Sequence, residues 1–125
     1  MYYIRKFGGV LEHPAGSKLW AECGLPIPGK GYDFFGGFSI SINQSWFGYP
    51  AVKNTWLYIV GCTISELPPL PMNFDAVTHT VSSSKKKTGK RELSKMRRDL
   101  TYPLLIDWLY EVICVIDNNN KKQTF

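Results

Sequence analysis

The chain lacks the sequence features of a membrane span, a signal peptide, a disulfide framework and a structural zinc site. None of its apolar runs reaches the roughly 18 residues that a membrane span needs, and residues 1–6 contain no apolar stretch of signal-peptide length. The three cysteines, Cys23, Cys62 and Cys114, are far apart, odd in number and without C-x-x-C spacing. We therefore expect a soluble, cytoplasmic protein with neither a disulfide framework nor structural zinc.

The common catalytic and ligand-binding motifs are also missing. The two histidines, His13 and His79, have no cysteine or histidine spacing that would predict a metal site. Ser17 follows His13 by four residues, but its hydroxyl is expected to cap a helix, and no Gly-x-Ser-x-Gly elbow occurs. Residues 29–31, Gly-Lys-Gly, lack the preceding strand and the Gly-Lys-Ser/Thr ending of a phosphate loop. We predict no metal and no cofactor from these patterns.

What remains is typical of one small globular domain. The 125 residues are 44% hydrophobic and 14% aromatic, which is enough for a core. Residues 8–12 suit a short strand that ends at Pro14, and Ser17 is a suitable cap for a helix over 18–23. Residues 24–37 contain too much glycine and proline for regular structure.

Two strands and a long helix follow. In FSISINQ, apolar and polar residues alternate from Phe38, which predicts a strand with one buried face. The continuous apolar run 56–60 predicts a central strand that is buried on both faces. Thr101 is a suitable cap for a helix over 102–116, where Leu104, Trp108, Val112 and Ile116 share one stripe, with Leu105, Leu109 and Ile113 beside it.

The predicted fold is therefore a small α/β domain. A sheet of about three strands, with an antiparallel pair in residues 37–61, packs against the C-terminal amphipathic helix. Residues 117–125 are polar and are predicted to form a flexible tail. We assign three tryptophans to the core: Trp20, Trp56 and Trp108.

The positive charge is concentrated in one basic segment, residues 82–98. Eight of the fifteen cationic side chains fall there against the single acid Glu92, so the segment carries +7 and the rest of the chain −2. The eight are Lys85, Lys86, Lys87, Lys90, Arg91, Lys95, Arg97 and Arg98. Such density predicts salt-dependent contact with nucleic acid; a bare solvated linker and a site for an acidic protein surface remain alternatives. A short helix is also expected over residues 92–96.

Three stretches in order resemble the second half of cytosine-type DNA methyltransferases, above all the methyltransferase-like proteins of phages and prophages. They are GGVLEHPAGSKLW, INQSWFGYPAVKNTWLYIVG and RRDLTYPLLIDWL. The resemblance implies that Glu12 occupies the position of the acid that contacts a flipped cytosine, with His13 in place of the family's asparagine. It also implies that Gln44, Lys53 and Thr55 line the pocket or approach the nucleic-acid backbone. A bacterial host is implied for the location.

Two parts that the family needs for catalysis are not in this sequence. No glycine-rich cofactor turn precedes Glu12, and none of the three cysteines follows a proline as in the Pro-Cys nucleophile loop. We therefore expect a half domain over residues 1–125 that neither binds S-adenosylmethionine nor methylates by itself, with Glu12 as a relic. The strand that carries Val10 and Leu11 then has an open edge, which residues 2–6, a second copy or a partner must cover; we predict a homodimer or a hetero-complex through that edge.

The function expected from the sequence is binding to nucleic acid or to a protein partner by a non-catalytic methyltransferase-like protein. The basic segment and the hairpin tip are the expected contact sites, with Lys53 and Trp46 at the tip; Phe47 and Tyr49 would add to a stacking surface. Trp46 is either a binding residue or a lid over the core. Two alternatives are a phage counter-defence protein that inhibits a host nuclease such as a CRISPR effector, and one subunit of a split DNA methyltransferase.

Overall fold

The computed structural model describes residues 1–71, 79–80, 91–92 and 103–122. The elements in chain order are α1 (Tyr2–Phe7), β1 (Gly9–Pro14), α2 (Lys18–Glu22), β2 (Phe38–Asn43), a 3-10 turn (Gln44–Phe47), β3 (Asn54–Val60), a second 3-10 turn (Ile64–Glu66), β4 (His79–Thr80), β5 (Arg91–Glu92) and α3 (Pro103–Lys122).

The main sheet has three antiparallel strands in the order β1-β3-β2. β3 lies in the middle, as its continuous apolar run predicts, and Leu57 pairs with Glu12 on one side and Ile40 on the other. The antiparallel pair predicted for residues 37–61 is confirmed. β4 and β5 form a separate two-residue parallel ladder, in which His79 pairs with Arg91.

α3 covers one face of the sheet. Leu105, Trp108, Val112 and Ile116 are buried and form one cluster with sheet residues such as Leu57. Burial of four large side chains stabilises the fold by several kcal/mol, about 1.5–3 kcal/mol for each fully buried aliphatic. The predicted packing of the C-terminal helix on the sheet is confirmed.

The opposite face is covered by α1 and α2, which makes the fold three-layered. Trp20 of α2, Tyr58 and Val60 of β3 and Ile4 of α1 belong to the cluster on this side. The indole Nε1 of Trp20 donates to the hydroxyl of Ser39 at 3.0 Å, so the only polar atom of this buried ring is paired. Trp20 and Trp108 are core residues as predicted, whereas Trp56 is half-buried at the edge of this cluster.

The predicted cap of α2 is confirmed. The Ser17 hydroxyl accepts from the backbone N–H of Leu19 at 3.2 Å, and α2 ends where Gly24 adopts a φ of 64°. Residues 24–37 contain no helix or strand, in agreement with their glycine and proline content.

Two expectations for α3 are wrong. The stripe is rotated by one residue at its start, because Leu105 is buried while Leu104 is 52% exposed, and Ile113 is 42% exposed. The helix also continues to Lys122, so residues 117–122 are helical rather than a loose tail. Hydrogen bonds from Asn119 to the Gly61 carbonyl and from Asn120 to the Phe7 carbonyl hold these last turns against the domain.

The loop before β2 is fixed by Asp33. Its Oδ1 accepts from the backbone N–H groups of Phe35 and Gly37, both at 2.9 Å, and its Oδ2 accepts from the Tyr58 hydroxyl at 2.5 Å. A Cβ at Gly37 would collide with the Tyr58 ring and hydroxyl, which explains the absence of a side chain there. Asp33 therefore sets the position of the neighbouring Phe34 and Phe35.

Candidate functional site

The structure brings together three polar residues that the sequence singles out. Glu12 on β1 pairs with Leu57 on β3, so it lies on the same face of the sheet as Thr55, two residues from Leu57, and Gln44 after β2 reaches both. The Gln44 amide Nε2 donates to Thr55 Oγ1 at 3.0 Å and to Glu12 Oε1 at 3.4 Å. Thr55 in turn donates to the Lys53 carbonyl at 3.3 Å.

This polar group has one unsatisfied atom. Gln44 is buried, and within the described residues its Oε1 has no hydrogen-bond partner, while the Glu12 residue is exposed. The arrangement holds the hairpin tip against β1. The base-contacting role of Glu12 stays a prediction of the resemblance.

His13 lies on the other face of β1, away from Glu12. Its Nδ1 is 3.1 Å from the Ser17 hydroxyl, which already accepts from Leu19 N–H as the helix cap. The His13 and Trp20 rings are 6.5 Å apart. These contacts belong to the turn that joins β1 to α2.

The stacking surface expected at the hairpin tip is not available in this conformation. Phe47 and Tyr49 are 1% and 2% exposed, and Trp46 is half-buried against the main core cluster. Lys53 Nζ lies 5.1 Å from the centre of the Tyr49 ring. The lid alternative for Trp46 therefore agrees with its packing, and binding through Trp46 and Lys53 stays a prediction.

Most of the basic segment lies outside the described residues. Of its eight cationic residues, only the backbone of Arg91 is described, in β5. The helix expected over 92–96 also lies outside them, apart from Glu92 at the end of β5.

Exposed aromatic side chains, the exposed Lys6 and the half-buried Arg5 instead gather where α1 meets the loop before β2. We call this set the aromatic-cationic surface: Tyr2, Tyr3, Arg5, Lys6, Phe7, Phe34 and Phe35. Phe34 is 96% exposed and Tyr3 is 72% exposed, although such large apolar rings are normally found in cores or at binding sites.

Direct contacts make this surface continuous. The Tyr3 ring stacks on Phe7 at 6.2 Å, and Lys6 Nζ lies 5.5 Å from the Tyr2 ring and 5.3 Å from the Phe7 ring. The Arg5 guanidinium lies 4.4 Å above the Phe35 ring. These are cation-π distances, so the charges are held against the faces of the rings.

Arg5 is held by a hydrogen bond to the backbone in addition to its contact with the Phe35 ring. Its Nη2 donates to the Cys23 carbonyl at 2.9 Å. Its charge also acts on the buried Tyr58 hydroxyl: burial and the hydrogen bond to Asp33 raise the Tyr58 pKa to about 12, while Arg5 works in the opposite direction. The Arg5 guanidinium, which connects α1 to Phe35, is therefore held in one position before any ligand binds.

Two cavities open at this surface and share Arg5, Lys6 and Phe35. The smaller, about 440 Å³, is lined by these three residues and Tyr2. The larger, about 550 Å³, we call the cleft; it lies between the C-terminal ends of α1, β3 and α3. Its further lining includes Cys62, Glu66, Asn119 and Lys122.

Two ionisable groups in the cleft have shifted pKa values. Burial, and secondarily the charge of Glu66, raises the pKa of the Cys62 thiol to about 11, which keeps this thiol protonated and unreactive at neutral pH. Hydrogen bonds from the Thr63 backbone and from Asn119 lower the pKa of the Glu66 carboxyl. Glu66 is therefore a fixed negative charge at the rim of the cleft.

Sequence reasoning missed this site, although a signal was present. Residues 2–7, YYIRKF, place three aromatics around two cations, which is the interleaving expected of a nucleic-acid-binding patch. Phe34 and Phe35 sit in a glycine-rich loop, where no apolar periodicity assigns them to a core. Their proximity to α1 depends on the fold.

Other site classes find no support in the part of the chain that the structure covers. No group of three or more metal-ligating side chains occurs among the described residues. In the same residues no helix is both long and apolar enough to cross a membrane. Comparisons with protein-family models, with curated proteins and with solved structures found no match.

Proposed function

We propose that this protein binds single-stranded nucleic acid through the aromatic-cationic surface and performs no catalysis there. The observation that carries the proposal is the continuous array of exposed rings with two cations held against their faces. Unpaired bases stack on exposed aromatics, and cations between the rings neutralise the phosphates that link the bases. Duplex DNA hides its base faces and would bind this surface less well.

The basic segment supports the same proposal from the sequence. Its net charge of +7 would add sequence-independent, salt-dependent affinity wherever it lies relative to the surface. A methyltransferase-like phage or prophage origin, with a cytoplasmic location in a bacterial host, remains part of the proposal on the three sequence stretches alone. The altered Glu12-His13 pair is then a relic in a chain that has kept a binding role.

The experiment is fluorescence anisotropy with a labelled 20-nucleotide thymidine strand at several salt concentrations. Phe34→Ala removes the most exposed ring, whose loss costs little packing. We expect it to weaken binding about tenfold, in line with about 1–3 kcal/mol for one stacked base. Tyr110→Ala is the matched control, since Tyr110 is an exposed aromatic, 69% exposed, on α3 and away from this surface.

The control variant should bind as the unchanged protein does. Equal weakening by both variants, or no binding at low salt, would contradict the proposal. Rings and arginine are also common at protein interfaces. Failure to bind any strand, together with tight Phe34-dependent binding to a purified host nuclease, would favour the counter-defence alternative.

A further inference from the structure

We infer that the cleft is a phosphate subsite of the aromatic-cationic surface, and that it takes the terminal phosphate of a nucleotide whose base lies on the neighbouring rings. This inference rests on the proposed function and names its ligand more closely. The shared chemistry is a phosphate monoester joined to a nucleoside, either at the end of a strand or as a free nucleotide.

The geometry supports a ligand with two unlike parts. One cavity is walled by the rings of Tyr2 and Phe35 together with Arg5 and Lys6. The cleft shares Phe35, Arg5 and Lys6, and adds the polar and charged groups of Glu66, Asn119 and Lys122 beside apolar residues. Volumes of about 440 and 550 Å³ are each of the size of small-molecule sites. A nucleotide has this division, with a planar base at one end and a doubly charged phosphate at the other.

The charge of the cleft favours an anion. Arg5, Lys6 and Lys122 line it against the single carboxylate of Glu66. That carboxylate already accepts from the Thr63 backbone N–H at 2.9 Å and from Asn119 at 3.3 Å, so part of its charge is compensated inside the wall. The cleft keeps a net positive charge at neutral pH.

Two backbone carbonyls of the cleft wall are already paired. The cleft lies at the C-terminal ends of α1 and α3, where unpaired carbonyls would repel phosphate. Asn119 donates to the Gly61 carbonyl at 3.1 Å, and Asn120 donates to the Phe7 carbonyl at 2.9 Å. The positive charge offered to a ligand comes from Arg5, Lys6 and Lys122.

The position of the cleft favours a terminal phosphate over one inside a strand. The last turns of α3 form one wall of the cleft, and the two asparagine bonds attach them to α1 and β3. In this proposal a strand that lies along the rings ends beside these turns. An internal phosphate carries one negative charge, whereas a terminal monoester carries nearly two at neutral pH and gains more from the cations.

The test compares eight-nucleotide thymidine strands with a phosphate at the 5′ end, at the 3′ end or at neither end, by anisotropy competition. Thymidine monophosphate and thymidine are titrated in parallel by calorimetry. We expect one phosphorylated strand to bind about fivefold more tightly than the unphosphorylated strand, the size of an ion pair in an exposed cleft. Lys122→Gln should abolish this preference, and Glu66→Gln should increase it because the opposing charge is removed.

Lys121→Gln is the matched control, because Lys121 lines neither cavity and pairs with Asp117 at 3.3 Å. It should keep the preference for the phosphorylated strand. Binding of thymidine monophosphate over thymidine, sensitive to Lys122→Gln but without strand binding, would support the subsite for a free nucleotide and overturn the proposed function.

Equal affinity for phosphorylated and unphosphorylated strands would overturn the subsite and leave the proposed function standing. A preference that Lys122→Gln does not alter would also overturn it. Absence of binding by every strand and nucleotide would overturn both.

Discussion

At the scale of single residues, the contact between Tyr58 and Asp33 fixes the position of the loop before β2. Tyr58 is fully buried, and its hydroxyl donates to a carboxylate that also holds the backbone of residues 35 and 37. A hydrogen bond to a charged group contributes about 1.5–3 kcal/mol, more than a neutral one. Phe34 and Phe35 are thus presented by a loop that is attached to the central strand.

Tyr58→Phe tests this attachment. We expect the free energy of unfolding to fall by about 1.5–3 kcal/mol at pH 8, because the Asp33 carboxylate loses a buried donor. Chemical denaturation measures the change. Tyr110→Phe, on an exposed ring, is the matched control and should change the stability by less than about 0.5 kcal/mol.

The loss of stability caused by Tyr58→Phe should depend on pH. Because the Tyr58 pKa is raised to about 12 in the folded chain, its stabilising contribution is complete below pH 10, the unfolded value, and is lost as the pH rises toward 12. The deficit of Tyr58→Phe relative to the unchanged protein should therefore shrink between pH 10 and 12. A deficit that stays constant from pH 8 to 12 would contradict this assignment.

Contacts between residues close in the chain could be predicted from the sequence, whereas contacts between distant residues could not. The Ser17 cap follows from residues two positions apart, and the burial of Trp20 follows from its helix. The bond between Asp33 and Tyr58 spans 25 positions in the chain, and no local pattern encodes it. The bond from Gln44 to Glu12 spans 32 positions, and its residues were named only through the resemblance.

At the scale of elements, the end of α3 shows why a polar sequence can remain helical. Residues 117–122, DNNNKK, have poor helix propensity, so the sequence predicts an end near Ile116. Tertiary hydrogen bonds from Asn119 and Asn120 override that propensity. The error of one residue in the buried stripe has a similar origin, since the apolar pattern contains both Leu104 and Leu105 and only packing selects one of them.

Replacing Asn119 and Asn120 together by alanine tests this account of the helix end. Alanine raises helix propensity by roughly 0.6 kcal/mol per site, but the lost bonds cost about 0.5–1.5 kcal/mol each and leave two carbonyls unpaired. We expect faster amide hydrogen exchange over residues 117–122, measured by mass spectrometry.

Asn118→Ala is the matched control. The Asn118 side chain is exposed and makes no tertiary hydrogen bond within the described residues, so this variant keeps only the gain in propensity and should exchange more slowly or unchanged. Slower exchange in the double variant as well would mean that propensity, and not the tertiary bonds, controls the last turns.

At the scale of the whole molecule, the fold class was predictable, whereas the main candidate surface was not. The alternating run of β2 and the continuous apolar run of β3 predicted two strands with β3 in the middle, because burial on one or two faces sets the pattern of apolar residues. The third strand, β1, was predicted from the short stretch that ends at Pro14. The aromatic-cationic surface joins α1 to a loop that is about 30 residues away in the chain, and only the folded sheet brings them together.

Association through β1 remains a prediction at this scale. β1 lies at an edge of the sheet and pairs with β3 alone among the described strands. α1 packs beside it as a helix and does not extend the sheet as a strand. The oligomeric state in solution shows whether a second copy completes this edge. A protein partner and the other half of a split methyltransferase are the alternatives.

Photo-crosslinking of a single-stranded oligonucleotide that carries 5-iodouracil tests directly whether bases lie on the aromatic-cationic surface, with mass spectrometry to locate the attached residues. This base reacts with aromatic side chains that stack on it. We expect crosslinks within residues 2–7 and at Phe34 or Phe35, which disappear when salt disrupts binding. Crosslinks confined to residues 46–53 or to the exposed face of α3, with none on the aromatic-cationic surface, would contradict this expectation.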